Sequence, residues 1–193
     1  TPFADKIAMA LRQIKPQLHI PVVYNCSGYE RTKTLEEIAD VIDIFIPDIK
    51  FKSASLSKKY LNITDYFETT IKAIDTMCKI TGTPQFDGEM LQKGVIVRHL
   101  VMPNCYKDSI EILRELYKKF GVDKFLLSLM SQYIPCGNLK NFPEINRKIT
   151  TFEYNKVIDF AASCNFNGFT QDKSSATEKY IPDFDNEGVN VDE

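Results

Sequence analysis

Val41-Ile42-Asp43-Ile44-Phe45-Ile46-Pro47-Asp48-Ile49-Lys50 is the stretch whose reading decides the fold. Six of its first seven residues are apolar, and β-branched types dominate. The run is too short for a typical helix, and near-continuous apolarity of this kind marks a strand of a buried parallel sheet. The predicted strand is 41–47. The sequence then turns polar at Asp48 and Lys50, which are two residues apart. On extended backbone they face the same way. They make either an ion pair at the sheet rim or a ligand-facing pair.

The same alternation runs outward in both directions. Phe3, Ile7, Leu11 and Ile14 keep helical spacing until Pro16 stops the helix. Residues 20–25 predict a strand after it, and Thr34-Leu35-Glu36-Glu37 reads as a capping box opening a short helix. Downstream, Asp65 and Glu68 open a long helix with the stripe Phe67, Ile71, Ile74 and Cys78, closed at Gly82. Residues 83–93 read as a polar loop. A strand follows at 95–102, then a helix through Ile110, Leu113, Leu116 and Phe120. A strand at 125–130, a helix through Tyr154, Val157 and Ala161, and a short strand at 168–170 complete the pattern. The order predicts an α/β fold with four to five parallel strands and helices outside. That is too few strands to close an eight-stranded barrel, so a doubly wound sheet or a partial TIM-like barrel remains.

Composition sets the outer bounds. The 193 residues are 44% hydrophobic and 26% charged, a globular mix, with net charge −2. No global basic field recruits nucleic acid or an anionic membrane, and no apolar run reaches the length of a membrane span. Residues 172–193 carry seven acids and two lysines, so they are expected to form an acidic extended tail beyond a domain at 1–171. The five cysteines are widely dispersed, with no C-x-x-C pair. They fit reduced cytoplasmic thiols rather than a metal knuckle, and no metal site is expected from this chain's own residues.

In parallel βα folds ligands bind at the carboxyl ends of strands. Here those ends carry Asn25-Cys26-Ser27-Gly28, then Asp48 and Lys50, then Arg98 and His99, then Ser131-Gln132-Tyr133, and finally Gln171. Arg98 and His99 point to opposite faces, so at most one joins the ligand side. Arg98 within an apolar strand needs a partner, and Asp48 is the candidate. His99 is expected to pack beneath a helix.

Four segments in order carry a resemblance: residues 22–30, 41–51, 96–103 and 128–135, followed by 168–171 and the run 174–185. Together they resemble the radical S-adenosylmethionine superfamily, in particular proteins similar to pyruvate formate-lyase activating enzyme. Two family motifs are absent: the C-x-x-x-C-x-x-C loop that holds a 4Fe-4S cluster, and the following Gly-Gly-Glu-Pro-like strand end. The resemblance therefore implies a portion of the partial barrel lying after both motifs, inactive alone, with the cluster ligands outside this chain.

The resemblance further implies reductive cleavage of S-adenosylmethionine to a 5′-deoxyadenosyl radical, for glycyl-radical activation or a related hydrogen abstraction. It places Asp48 and Lys50 by the methionine and ribose end and Asn25 and Ser27 near ribose or substrate. Arg98 falls near the cofactor carboxylate, and Gln132 and Tyr133 flank the adenine. Implied partners are a glycyl radical enzyme or other protein substrate and an electron donor such as flavodoxin. Self-association is expected through the open strand at 20–25. Two other readings stay open: a Schiff-base lyase using Lys50, or a non-catalytic module that docks a partner.

Overall fold

The computed structural model describes residues 3–170. The expected tail from residue 172, and Gln171, lie outside the described residues. The elements are α1 (Ala4–Ile14), β1 (Val23–Cys26), α2 (Thr32–Glu37), β2 (Ile44–Pro47), α3 (Ala54–Leu61), α4 (Tyr66–Thr81), β3 (Gln85–Asp87), β4 (Met90–Leu100), α5 (Tyr106–Phe120), β5 (Leu126–Met130), α6 (Thr151–Ser163) and β6 (Gly168–Thr170). The strands lie in the order β1-β2-β4-β5-β6, all parallel, with β3 antiparallel on β4. This is the expected α/β partial barrel, a parallel sheet flanked by helices.

The core lies on one side of the sheet. Phe45 and Ile49, then Val95, Val97 and Val101, then Leu127 and Leu129 alternate along their strands. They pack against Leu35 and Ile38 of the α2 region, Ile74 and Met77 of α4, Leu113 and Leu116 of α5, and Val157 of α6. Each fully buried aliphatic or aromatic side chain contributes about 1.5–3 kcal/mol, so this layer holds the fold. The opposite face carries Ile46, Asp48 and Lys50, Ile96, Arg98 and Leu100, and Ser128, all only half-buried. Ile44, Leu126 and Met130 on this same face are buried, so it is only partly open.

Four local expectations are corrected. Residues 83–93 are not a polar loop but the β3–β4 hairpin, turning at Gly88-Glu89 with glycine at the positive-φ first position of a two-residue turn. Its β3 arm is exposed throughout, so polar side chains there meet solvent. Helix α2 begins at Thr32 with no side-chain cap, and the capping box sits instead at Thr150 and Glu153 of α6. Helix α3 had no apolar stripe to announce it. Ser53 caps it, and Asp108 of α5 accepts the backbone N–H groups of Lys52 and Ser53 at 2.8 Å each. Finally, β2 begins at Ile44, because Asp43 spends its carboxylate on Val22 N–H (2.8 Å) and Lys15 (2.9 Å) at the entry to the sheet.

Strand β1 is the sheet edge, as expected. Val22 and Cys26 carbonyls accept from β2 residues, so Val23 and Asn25 turn their backbone groups outward. Phe3, Ile7, Ile20 and Val23 are exposed along this side, beside a cavity of about 260 Å³ between α1 and β1. No helix among the described residues is long and apolar enough to cross a membrane.

Candidate functional site

The open face has a register that stacks like with like. Asp48 bridges to Arg98, Arg98 pairs with Ser128, and Ser128 pairs with Phe169. A polar row of Asp48, Arg98 and Ser128 therefore crosses three strands one step above the apolar row of Ile46, Ile96 and Leu126, and ends on Phe169. At its β1 side the row becomes a hydrogen-bonded cluster.

Arg98 Nε donates to Asp48 Oδ1 at 2.9 Å, and Arg98 Nη2 lies 2.8 Å from the same oxygen. Nη2 also donates to Asn25 Oδ1 at 2.8 Å. Lys50 Nζ donates to Asp48 Oδ2 at 2.8 Å. Two cations thus face one carboxylate. Asp48 is the most sheltered, with 19% of its side chain exposed, against 29% for Arg98 and 36% for Lys50. The guanidinium has five N–H groups and the ammonium three, so donors on Arg98 Nη1 and Lys50 Nζ are left over after these contacts.

Backbone geometry makes the cluster possible. Gly28 turns the chain after β1 at φ +78°, and a Cβ there would stand 2.0 Å from the Asp48 carbonyl oxygen. Only glycine lets the β1 turn close on β2 so tightly. Cys26 between Asn25 and Ser27 is a half-buried thiol, pushed up to about 12 chiefly by desolvation.

The structure brings Asn25, Asp48, Lys50 and Arg98 together, while Ser27 and Tyr133 make their contacts elsewhere. Ser27 supplies its carbonyl to the Tyr66 hydroxyl. Gln132 reaches back to the Met130 sulfur at 3.9 Å, and the Tyr133 hydroxyl donates to the Ile145 carbonyl at 2.9 Å. His99 is packed beneath the helices as expected, its Nδ1 2.6 Å from the Ile49 carbonyl, and burial lowers its basicity. Sequence reasoning missed Tyr66, whose hydroxyl meets the backbone of Ser27, Asp48 and Lys50. It also missed Ser128, whose only signal was its polarity within an apolar strand.

A parallel α/β half-barrel with a cationic cluster at its carboxyl edge is the class these observations define. No protein-family model matches the sequence. The chain is 28% identical over 149 residues to an uncharacterized protein of Methanocaldococcus jannaschii, the match covering 77% of this chain and 40% of that protein. The fold is similar to the crystal structure of a domain of pyruvate-formate lyase-activating enzyme from Bacteroides vulgatus. The TM-score is 0.62 at 10% identity, covering 88% of this chain and 91% of that one. The likeness is one of fold.

Proposed function

We propose that the chain is the part of a radical S-adenosylmethionine enzyme, of the activating-enzyme type, that holds the cofactor's polar groups. The observation that carries this reading is the convergence of Asn25, Asp48, Lys50 and Arg98 from three adjacent strands, with two cations to one carboxylate. The fold likeness to an activating-enzyme domain and the ordered sequence resemblance support it.

S-adenosylmethionine suits this chemistry. Its carboxylate takes the spare N–H donors of Lys50 and Arg98 as charge-assisted bonds. Asp48 and the Asn25 amide are polar partners for its ammonium or ribose hydroxyls, and Phe169, exposed on the same row, offers an apolar surface for the base. When bound with a reduced iron–sulfur cluster, the cofactor supplies hydrogen-atom abstraction. This chain's residues do not fit that cluster. Among the described residues no three metal-ligating side chains lie together, and the five cysteines are too far apart in sequence to form a ligand loop. The proposal therefore gives them no role in holding it. What these residues do is bind, orient and shield a zwitterionic ligand.

The Schiff-base alternative is disfavoured by Lys50, because its amine is engaged as the charge partner of Asp48. Calorimetric titration with S-adenosylmethionine tests the proposal. Lys50→Ala is expected to weaken binding about 10- to 150-fold, the loss of one charge-assisted hydrogen bond. Equal affinities in the two proteins remove Lys50 from the site.

A further inference from the structure

Tyr66, the first residue of α4, is only 1% exposed, and its hydroxyl points at the backbone of two strand ends. It accepts the Lys50 backbone N–H at 3.2 Å. It lies 3.1 Å from the Ser27 carbonyl and 3.2 Å from the Asp48 carbonyl, to either of which it donates. A phenol has one proton and two lone pairs, so a single group serves three backbone partners. Tyr29 stacks on its ring, centroids 6.0 Å apart and planes 11° apart, and is held there by its own hydroxyl on Asp65 at 2.9 Å.

We infer that Tyr66 is a positioning residue that sets the pitch of the Asn25–Arg98–Asp48–Lys50 cluster through the backbone of Ser27, Asp48 and Lys50. The turn after Asn25 and the segment carrying Asp48 and Lys50 belong to different strands. The phenol is the rung between them on the helix side, and Gly28 is the contact that lets them close. Its loss leaves the part-buried Lys50 N–H and a strand-end carbonyl without this partner, so the two strand ends part to admit water. The Asn25 oxygen then moves relative to the Arg98 guanidinium, which Tyr66 itself does not touch.

Hydrogen exchange by NMR on the 193-residue chain tests this with Tyr66→Phe, which keeps the ring and its stack. The Lys50 amide is expected to exchange about tenfold faster, one hydrogen bond's worth of protection. The Arg98 Nε–H resonance shifts and loses protection, while the core amides of Val97 and Leu127 keep theirs. Tyr29→Phe leaves Arg98 and Lys50 as in wild type. If Tyr66→Phe does not fold, 3-fluorotyrosine at position 66 keeps the hydroxyl and is expected to move the same Arg98 resonance by less.

An unmoved Arg98 Nε–H, or an equal loss at Val97, overturns the inference. The inference deepens the proposed reading, and titration with S-adenosylmethionine separates the two. A wild type that binds none removes the reading and leaves the exchange result standing. Equal binding by wild type and Tyr66→Phe removes the positioning role and leaves the reading.

Discussion

Asp48 and Glu153 are built from the same parts and end in opposite states. Each carboxylate meets an arginine that reaches on to an asparagine: Arg98 to Asn25 at 2.8 Å, Arg147 to Asn104 at 3.1 Å. Around Glu153 the set is closed. Arg147 grips both oxygens at 2.8 Å, the Asn104 N–H donates at 2.6 Å, and the Thr150 backbone and hydroxyl donate at 3.0 and 2.8 Å. Glu153 is 6% exposed, and the Arg147 fork holds its carboxyl down at about 2. Around Asp48 the set is open, with two half-buried cations and donors to spare. The closed set ties the segment after β5 to α6 and to the turn after β4. The open one joins β1, β2 and β4 and leaves donors unspent. Saturation of hydrogen-bonding capacity, and not the presence of an ion pair, separates a fastening from a site.

Matched substitutions break or sharpen this contrast. Glu153→Ala has the largest effect. It leaves Arg147, Thr150 and the Asn104 N–H without their acceptor, and with Arg147 partly solvated the loss is about 2–3 kcal/mol. Thermal unfolding should fall by about 5–10 °C, and an unchanged midpoint refutes the fastening.

Acid has the next largest effect. The folded carboxyl of Glu153 sits below its ordinary value of 4.5, so its contribution is whole above that pH and is lost as pH falls toward about 2. His99 acts in the same direction. Buried neutral, it resists a proton that the unfolded chain accepts below about 6.5, so stability declines on acidification from there. Urea denaturation at pH 7, 5 and 3 measures both, and a Glu153→Gln protein should lose less between pH 5 and 3 than wild type.

Asp48→Ala is milder, about 1 kcal/mol, because Arg98 and Lys50 can recover water. A loss as large as that of Glu153→Ala contradicts an open site. Lys50→Ala is smallest for stability, under about 1 kcal/mol, while ligand affinity carries its main effect. Urea midpoints that agree within error, with weakened binding, are the expected pair of results.

Much of the architecture was legible in the chain itself. The apolar runs at 41–47, 95–102 and 125–130 and the helical stripes between them follow from periods of two and 3.6, which are local properties. The facing of Asp48 with Lys50, and of Arg98 against His99, follows from alternation on extended backbone. The polar hairpin at β3 and the polar helix α3 were not legible, because neither has a buried face with a repeating pattern. Partners distant in sequence hold them instead, such as Asp108 on the Lys52 and Ser53 amides.

What the sequence determined by itself is therefore most of the inventory: the buried parallel strands, which edge carries the polar residues, and which residues share a face. What only the tertiary structure decided is which of those polar residues meet. Parallel register set Asp48 beside Arg98, and β1–β2 pairing brought Asn25 within reach of Arg98. Tyr133, equally polar and at an equivalent strand end, was drawn off to the Ile145 carbonyl by the segment that follows it. The physical reason is range. Periodicity is fixed by neighbours along the chain, whereas a hydrogen-bonded cluster needs angstrom-level placement of residues tens of positions apart, which packing and strand pairing alone supply.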